Sequence, residues 1–214
     1  AIVGFSGLLV EPSTDEEERK EYSSIIRNNT DLMLNLVNDV LDLSRMETGD
    51  LHFDIKDHLL LVCCQMALES VRHRIPDGVK LTFSPAGEPI VVHVDNLRLQ
   101  QLLTNLLTNA AKFTEKGEIN LSFQLEPDRK KVCIAVTDTG TGIPLEKQAT
   151  IFNRFEKLDD YKPGVGLGLS ICLLIAERLD GALFIDSSYT DGARFVLILS
   201  CEIDSSIYNP PIEV

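Results

Sequence analysis

Three stretches of this 214-residue chain combine residue types and spacings that could do chemistry. The first is Asn105-Leu-Leu-Thr-Asn109-Ala-Ala-Lys112-Phe113-Thr114, where the asparagines are four apart and Lys112 lies three further on. On a helix this spacing puts two amide oxygens and one cation on a common face. Such a set suits a hard Mg²⁺ ion bridged to phosphates. Two solvated helix residues would have the same pattern. The second is Asp138-Thr-Gly140-Thr-Gly142-Ile143, directly after a strand-like run. An acid at a strand end can accept a hydrogen bond from an exocyclic amine, and glycines let the backbone approach a flat ring. A plain Asp-Thr-Gly turn is the ordinary alternative. The third is Gly164-Val-Gly166-Leu167-Gly168-Leu169-Ser170, which opens a helical pattern. Glycines leading into a helix expose N–H groups that can cradle phosphate, although such loops also fit many turns. No Lys-Ser/Thr pair follows the last glycine, so this is not a Walker loop. No strand leads directly into it, which argues against a dinucleotide-binding fold.

These stretches need elements to position them, and the periodicity supplies a set. Ala1–Leu9 is short and apolar, and Glu11-Pro12-Ser13-Thr14 reads as a turn. Ser13 or Thr14 is expected to cap the next helix, with Asp15–Glu18 in its first turn. From Tyr22 a seam runs through Ile26, Asn29, Met33, Leu36, Val40 and Leu43 at alternating spacings of four and three. Ile25, Leu32, Val37 and Leu41 widen it, so this helix needs partners along most of its length. Asn29 in the seam reads as a register device. Thr48-Gly49-Asp50 ends the helix.

Beyond it, helices and strands alternate. His58–Arg74 has helical period, with an expected apolar face of Leu59, Val62, Cys63, Met66 and Val71. Lys80–Ser84 and Ile90–Val94 read as strands around the turn Pro85-Ala86-Gly87, and Asn96–Phe113 as an amphipathic helix. Glu118–Leu125 and Val132–Val136 form an expected hairpin through Pro127-Asp128-Arg129-Lys130. Gly168–Leu179 reads as a helix; Leu183–Ser187 and Arg194–Cys201 read as antiparallel strands joined through Thr190-Asp191-Gly192. The expected class is α+β: a two-layer α/β sandwich, its mixed sheet covered by helices on one face, preceded by a partial helical-bundle hairpin. The expected division is 1–50 for the hairpin, 51–204 for the sandwich domain and 205–214 for a linker tail carrying Pro210-Pro211.

Charge and composition narrow the function further. The net charge is −13, with 12 acids against 5 bases in residues 1–56 and 21 against 15 in the rest. Neither part offers the basic surface that nucleic acid or an anionic membrane selects. The longest apolar run, Leu59–Leu68, is broken by Gln65 and falls short of the ~18–20 residues of a spanning helix. No signal-peptide pattern opens the chain. It is therefore expected to cross no membrane and to make no membrane contact. The five cysteines (63, 64, 133, 172 and 201) contain no CxxC pair, and buried thiols in a reducing cytoplasmic compartment are expected. The histidines at 52, 58, 73 and 93 lack transition-metal spacing.

Taken in order, the stretches resemble the ATP-binding domain of sensor histidine kinases, within the wider group that includes the Hsp90, DNA gyrase and MutL ATPases. Residues 95–114, DNLRLQQLLTNLLTNAAKFT, resemble that family's N box. DTGTGI at 138–143 resembles its G1 box and GVGLGLS at 164–170 its G2 box. IFNRFEKLDD at 151–160 is similar to the F box that sets histidine kinases apart from the other ATPases. The resemblance runs from about Leu59 to Cys201.

It implies ATP and Mg²⁺ as cofactors and a role for each matching residue. Asn109 would coordinate Mg²⁺, with Asn105 beside it, and Lys112 would contact the phosphate chain. Asp138 would bind the adenine amino group in a pocket shaped by Gly140, Gly142 and Ile143. Phe113, Leu167 and Leu169 would complete the nucleotide site. Gly164, Gly166 and Gly168 would let a lid, roughly Pro144–Pro163, close over the triphosphate. Within that lid Lys157 would meet phosphate, and Phe152 and Phe155 would anchor the lid. One departure is Ala193: many members carry a Ser or Thr after this glycine, and Ala193 supplies no hydroxyl to the adenine surroundings.

The same resemblance gives the hairpin a role. Ala1-Ile-Val-Gly-Phe-Ser-Gly-Leu-Leu resembles the sequence directly after the family's phosphoacceptor run, so the acceptor histidine is expected just before Ala1. None of the four histidines has a matching context, and no catalytic residue is assigned. The expected partners are a second copy of the chain, through the N-terminal helices, and a response regulator or receiver domain. The parent protein would carry the γ-phosphoryl group of ATP to a histidine and on to an aspartate, and could itself be membrane-anchored. Two rival readings are a remodelling ATPase of the wider group and a non-enzymatic dimerisation module with a decayed pocket.

Overall fold

Asp15, not Ser13 or Thr14, starts the long helix. Its carboxylate accepts the Glu18 N–H while the Glu18 side chain accepts the Asp15 N–H, a reciprocal capping box. Thr14 is used elsewhere, its hydroxyl donating to Leu8 O at 2.7 Å. The structure, a computed structural model, describes residues 1–11, 14–49, 51–127, 130–159 and 165–203, with Met46 and Glu47 described by their backbone alone. Ser13, Gly164, the end of the expected lid and the 205–214 tail lie outside the described residues.

The chain divides into two compact units, Ala1–Leu51 and His52–Val214. The first holds α1 (Ile2–Leu9) and α2 (Glu16–Thr48), joined by a Phe5–Tyr22 ring contact at 5.3 Å. Gly49 closes α2 in the left-handed conformation at φ 76°. Asn29 donates its amide to Ile25 O within α2 at 2.8 Å. Along the second half of α2, Met33, Val37, Val40 and Leu41 are 45–59% exposed.

The second unit contains β1 (Lys56–Leu59), α3 (Leu60–Val71), a 3₁₀ turn at Arg72–Arg74, β2 (Val79–Ser84), β3 (Ile90–Val94) and α4 (Asn96–Phe113). It continues with β4 (Gly117–Leu125), β5 (Lys131–Asp138), α5 (Leu145–Gln148), α6 (Gly168–Arg178), β6 (Ala182–Ile185) and β7 (Ala193–Ile203). The sheet order is β1-β3-β7-β5-β4-β2, with β6 also on β7. Among the described residues only β2–β4 is parallel, and the other pairs are antiparallel. The expected strands β2 and β3 therefore flank a turn without pairing to each other.

Strand alternation loads one face of the sheet. Cross-strand rows Leu121–Val136–Phe195, Phe123–Ile134–Leu197 and Leu125–Val132–Leu199 point to that face. Leu99, Leu102, Leu103, Leu106 and Leu107 of α4 and Ile171 and Ile175 of α6 are buried with them. Asp95 starts α4 by accepting the Arg98 N–H, and its second oxygen takes the Asp54 N–H ahead of β1.

Two sequence expectations change in α3. Lys56–Leu59 pairs with β3 as an edge strand, so the helix begins at Leu60. The buried face is Leu60, Cys63, Cys64, Ala67, Leu68 and Val71, whereas Val62 and Met66 are 47% and 50% exposed. An apolar run with few polar interruptions carries little information about which side faces inward, and packing against α4 selects it. The cysteines at 63, 64, 133 and 172 are buried and Cys201 is half-buried, and none of the five is in a disulfide.

Candidate functional site

Asp138 is placed by the same alternation that builds the core. Val132, Ile134 and Val136 face inward, and Asp138 takes the next inward position, in register with Ile119 and Ala193. It is 4% exposed. A carboxylate so placed needs donors, and two backbone groups supply them. The Gly140 N–H donates to Oδ1 at 2.9 Å and the Ala193 N–H at 3.3 Å. Oδ2 takes no hydrogen bond from the described residues. Burial pushes the carboxyl above its ordinary value of 3.8, and the two N–H bonds pull it part of the way back.

Glycine at 140 and 192 is a requirement of close packing here. A Cβ on Gly140 would stand 2.3 Å from Phe113 O and 2.9 Å from Asp138 Oδ1; one on Gly192 would stand 2.0 Å from Asp138 O. The end of α4, the G1-like turn and the start of β7 thus meet without side chains between them. The Thr141 N–H completes the junction by donating to Phe113 O at 3.2 Å. Thr139 ties the turn to β4, its Oγ1 accepting the Glu118 N–H at 2.9 Å.

The other end of the α4 face meets α6. The position of a Cβ on Gly168 lies 3.8 Å from the Asn105 amide, so the opening of α6 lies against Asn105. Leu167 precedes that helix and gives it no side-chain cap. Asn105, Asn109, Lys112 and Phe113 are all half-buried. The Lys112 ammonium stands 4.9 Å from the centroid of the Phe113 ring. Gly142 and Gly166 have φ of 68° and 80°, open to glycine at little cost. The Phe155 N–H donates to Gly166 O at 2.9 Å, joining the F-box-like segment to the glycine loop. Ile143, Leu169 and Lys157 are half-buried.

Of Phe152 and Phe155, the expected anchors of the lid, Phe152 is the one that meets another aromatic ring among the described residues. Its ring meets Phe195 of β7 edge-on at 6.2 Å. Phe155 is 65% exposed and has φ of 62°. Gln148 is a contact the sequence did not reveal: its Nε2 donates to Ile143 O at 3.0 Å and its Oε1 accepts from Ser187 at 2.7 Å. Ala193, noted in the sequence for its missing hydroxyl, contributes through its backbone instead. No cluster of three His, Cys, Asp or Glu side chains able to hold a metal occurs among the described residues. The hard-ion donors on offer are the α4 amides.

Comparison with known proteins agrees with this arrangement. Residues 94–203 match the model of the histidine kinase-, DNA gyrase B- and HSP90-like ATPases, and residues 1–49 match that of the His Kinase A (phospho-acceptor) domain. Hybrid signal transduction histidine kinase A of Dictyostelium discoideum is 31% identical over 92% of this chain and 10% of its own length. Two-component system protein A of Emericella nidulans is 36% identical over 78% of the chain and 26% of its own length. The chain spans about a tenth to a quarter of the curated relatives it matches. Full-length ShkA, solved in complex with AMPPNP, superposes with a TM-score of 0.77 at 26% identity, over 95% of this chain and 43% of ShkA. With the ATPase model matched over more than half of this chain and a phospho-acceptor segment in front, the chain belongs to the histidine kinase-, DNA gyrase B- and HSP90-like ATPase family, in its histidine kinase branch.

Proposed function

We propose that the chain is the ATP-binding domain of a two-component histidine kinase together with part of its dimerisation hairpin. The observation that carries this is the Asp138 carboxylate, buried at a strand end with Oδ1 held by two backbone N–H groups. A fixed acceptor beside glycine backbone suits the amino edge of a flat purine. Gly140, Gly142 and Ile143 line that edge. Residues 51–204 form this domain, 1–50 the hairpin and 205–214 a linker.

The remaining residues fit a nucleotide with its magnesium ion. Asn109, with Asn105 beside it, presents neutral oxygens to a hard cation, and Lys112 presents its charge to the phosphates. Phe113, Leu167 and Leu169 pack around the nucleotide. Gly164, Gly166 and Gly168 shape the loop over the phosphates, with Lys157 a further phosphate contact. When bound, the ion neutralises charge that develops on the transferred phosphoryl group. The chain's own residues position the nucleotide and exclude water, and the phosphoryl group passes to a histidine and then to an aspartate of a response regulator or receiver domain. The exposed apolar side chains of α2 fit a homodimer through the hairpin. No helix among the described residues is long and apolar enough to cross a membrane, and we place this piece in the cytoplasm.

Titration of the chain with a fluorescent ATP analogue, with and without Mg²⁺, tests the reading. Magnesium-dependent binding without acid-labile phosphate on the chain is expected, since none of His52, His58, His73 and His93 lies in an acceptor context. Absence of binding would overturn the reading, and steady ATP turnover would favour a remodelling ATPase.

A further inference from the structure

Gln148 joins the two loops that flank Asp138. One is the G1-like turn, which leaves β5 after Asp138 and runs to Ile143-Pro144. The other connects β6 to β7 and delivers Ala193, whose N–H donates to Asp138 Oδ1. Gln148 is half-buried in α5, a single helical turn wound directly on the Ile143–Pro144 peptide. Pro144 O accepts the Lys147 N–H at 2.8 Å and the Gln148 N–H at 3.2 Å. The Gln148 side chain then folds back, its Nε2 donating to Ile143 O at 3.0 Å while its Oε1 accepts the Ser187 hydroxyl at 2.7 Å. A carbonyl oxygen can only accept, so the NH₂ end of the amide must face Ile143 and the Ser187 hydroxyl must donate to the other end. A single orientation of the amide serves both loops. The same loops also approach through backbone alone, where a Cβ on Gly142 would stand 3.0 Å from Gly192 O. Gln148 adds a side-chain tie beside that approach.

Resting on the nucleotide-binding reading above, we infer that Gln148 is a positioning residue for the purine: by fixing the Ile143–Pro144 peptide against the β6–β7 loop, it holds Ile143 as a wall of the pocket. Glycine at 140 and 142 lets the turn approach a flat ring, but it also gives the turn more conformations to lose on binding. The residue before a proline is confined to extended backbone, so a fixed carbonyl leaves Ile143 little freedom. Gln148 fixes that carbonyl, and Ser187 locks the amide that does so. A wall set before the ligand arrives spares the cost of ordering it at the moment of binding. In this reading the tie lies on the purine side of the site, so its contribution is the same for ATP and for ADP.

Calorimetric titration of the full chain with Mg-ATP and with Mg-ADP tests this. Gln148→Met keeps the length of the side chain and loses both bonds, and it should lose about tenfold in affinity for each nucleotide. Ser187→Ala should lose about fivefold, while Ser187→Thr, which keeps the hydroxyl, should stay within about twofold of the parent. The double variant Gln148→Met/Ser187→Ala should bind no more weakly than Gln148→Met, because both changes cut one tie. A residue that only stabilised the fold would shift melting midpoints without this rescue and non-additivity. Parent-like affinity in Gln148→Met would overturn the inference, and so would a loss confined to Mg-ATP or equal losses in Ser187→Thr and Ser187→Ala. Should Gln148→Met fail to fold, the two Ser187 variants decide the matter. Failure of the parent chain to bind Mg-ATP, or unaltered binding by Asp138→Asn, would instead remove the nucleotide reading itself.

Discussion

The N–H of Ala193, the first residue of β7, donates to Oδ1 of Asp138, the last residue of β5, across 3.3 Å. Antiparallel register puts these two residues opposite each other, so the final strand of the fold fixes the rotamer of the acid that the G1-like motif supplies. The carboxylate is oriented before any ligand arrives, and a preorganised acceptor costs little to use.

Replacing Asp138 separates binding from stability. Burial raises the folded-state carboxyl above 3.8, so the folded chain holds that proton more tightly than the unfolded chain. The ionised form therefore costs stability, fully above the raised value and not at all below 3.8. Asp138→Asn should unfold at a higher midpoint than the parent at pH 7, and the gap should narrow as pH falls through the window above 3.8. Its Mg-ATP affinity should drop about 10- to 100-fold, because an amide cannot replace the carboxylate as acceptor on both sides. Paired melting curves and titrations check both signs.

Asn109→Ala should leave the unfolding free energy within about 0.5 kcal/mol of the parent, since the side chain is half-buried and polar. Nucleotide binding in the presence of Mg²⁺ should weaken, while binding in excess chelator should match the parent. Equal binding in both conditions would remove Asn109 from the site.

Gly140→Ala should destabilise the chain by about 3 kcal/mol, as the added Cβ meets the Phe113 carbonyl at 2.3 Å and neither backbone can yield cheaply. Denaturant unfolding measures this directly. A cost below about 1 kcal/mol would mean that the α4–turn junction yields to the added methyl group.

The two F-box phenylalanines should behave differently. Phe152→Ala should cost about 2 kcal/mol by removing the edge-on contact with Phe195. Phe155→Gly should change stability by less than about 1 kcal/mol, because an exposed ring is lost and a positive φ is relieved. Equal losses in urea melts would restore Phe155 as an anchor.

Local pattern was enough to determine much of this protein. Helical period located α2, α4 and α6, and alternation located β3 and the β4–β5 hairpin, because each depends on neighbours within a few residues. The motifs with their spacing were equally legible, since glycine and asparagine positions are read directly from the chain. What remained was decided by residues distant in sequence. The short edge strand β1 exists because β3 offers it hydrogen bonds, which four residues of mixed polarity do not announce. Leu60 and Leu68 faced the core in place of Val62 and Met66 because α4 lies on that side. Phe155 is exposed, and its N–H pairs with Gly166 O across a segment boundary that the motif itself does not record. The role of Ala193 as a donor to Asp138 arises from strand register across 55 residues of chain, and no motif at position 193 records it.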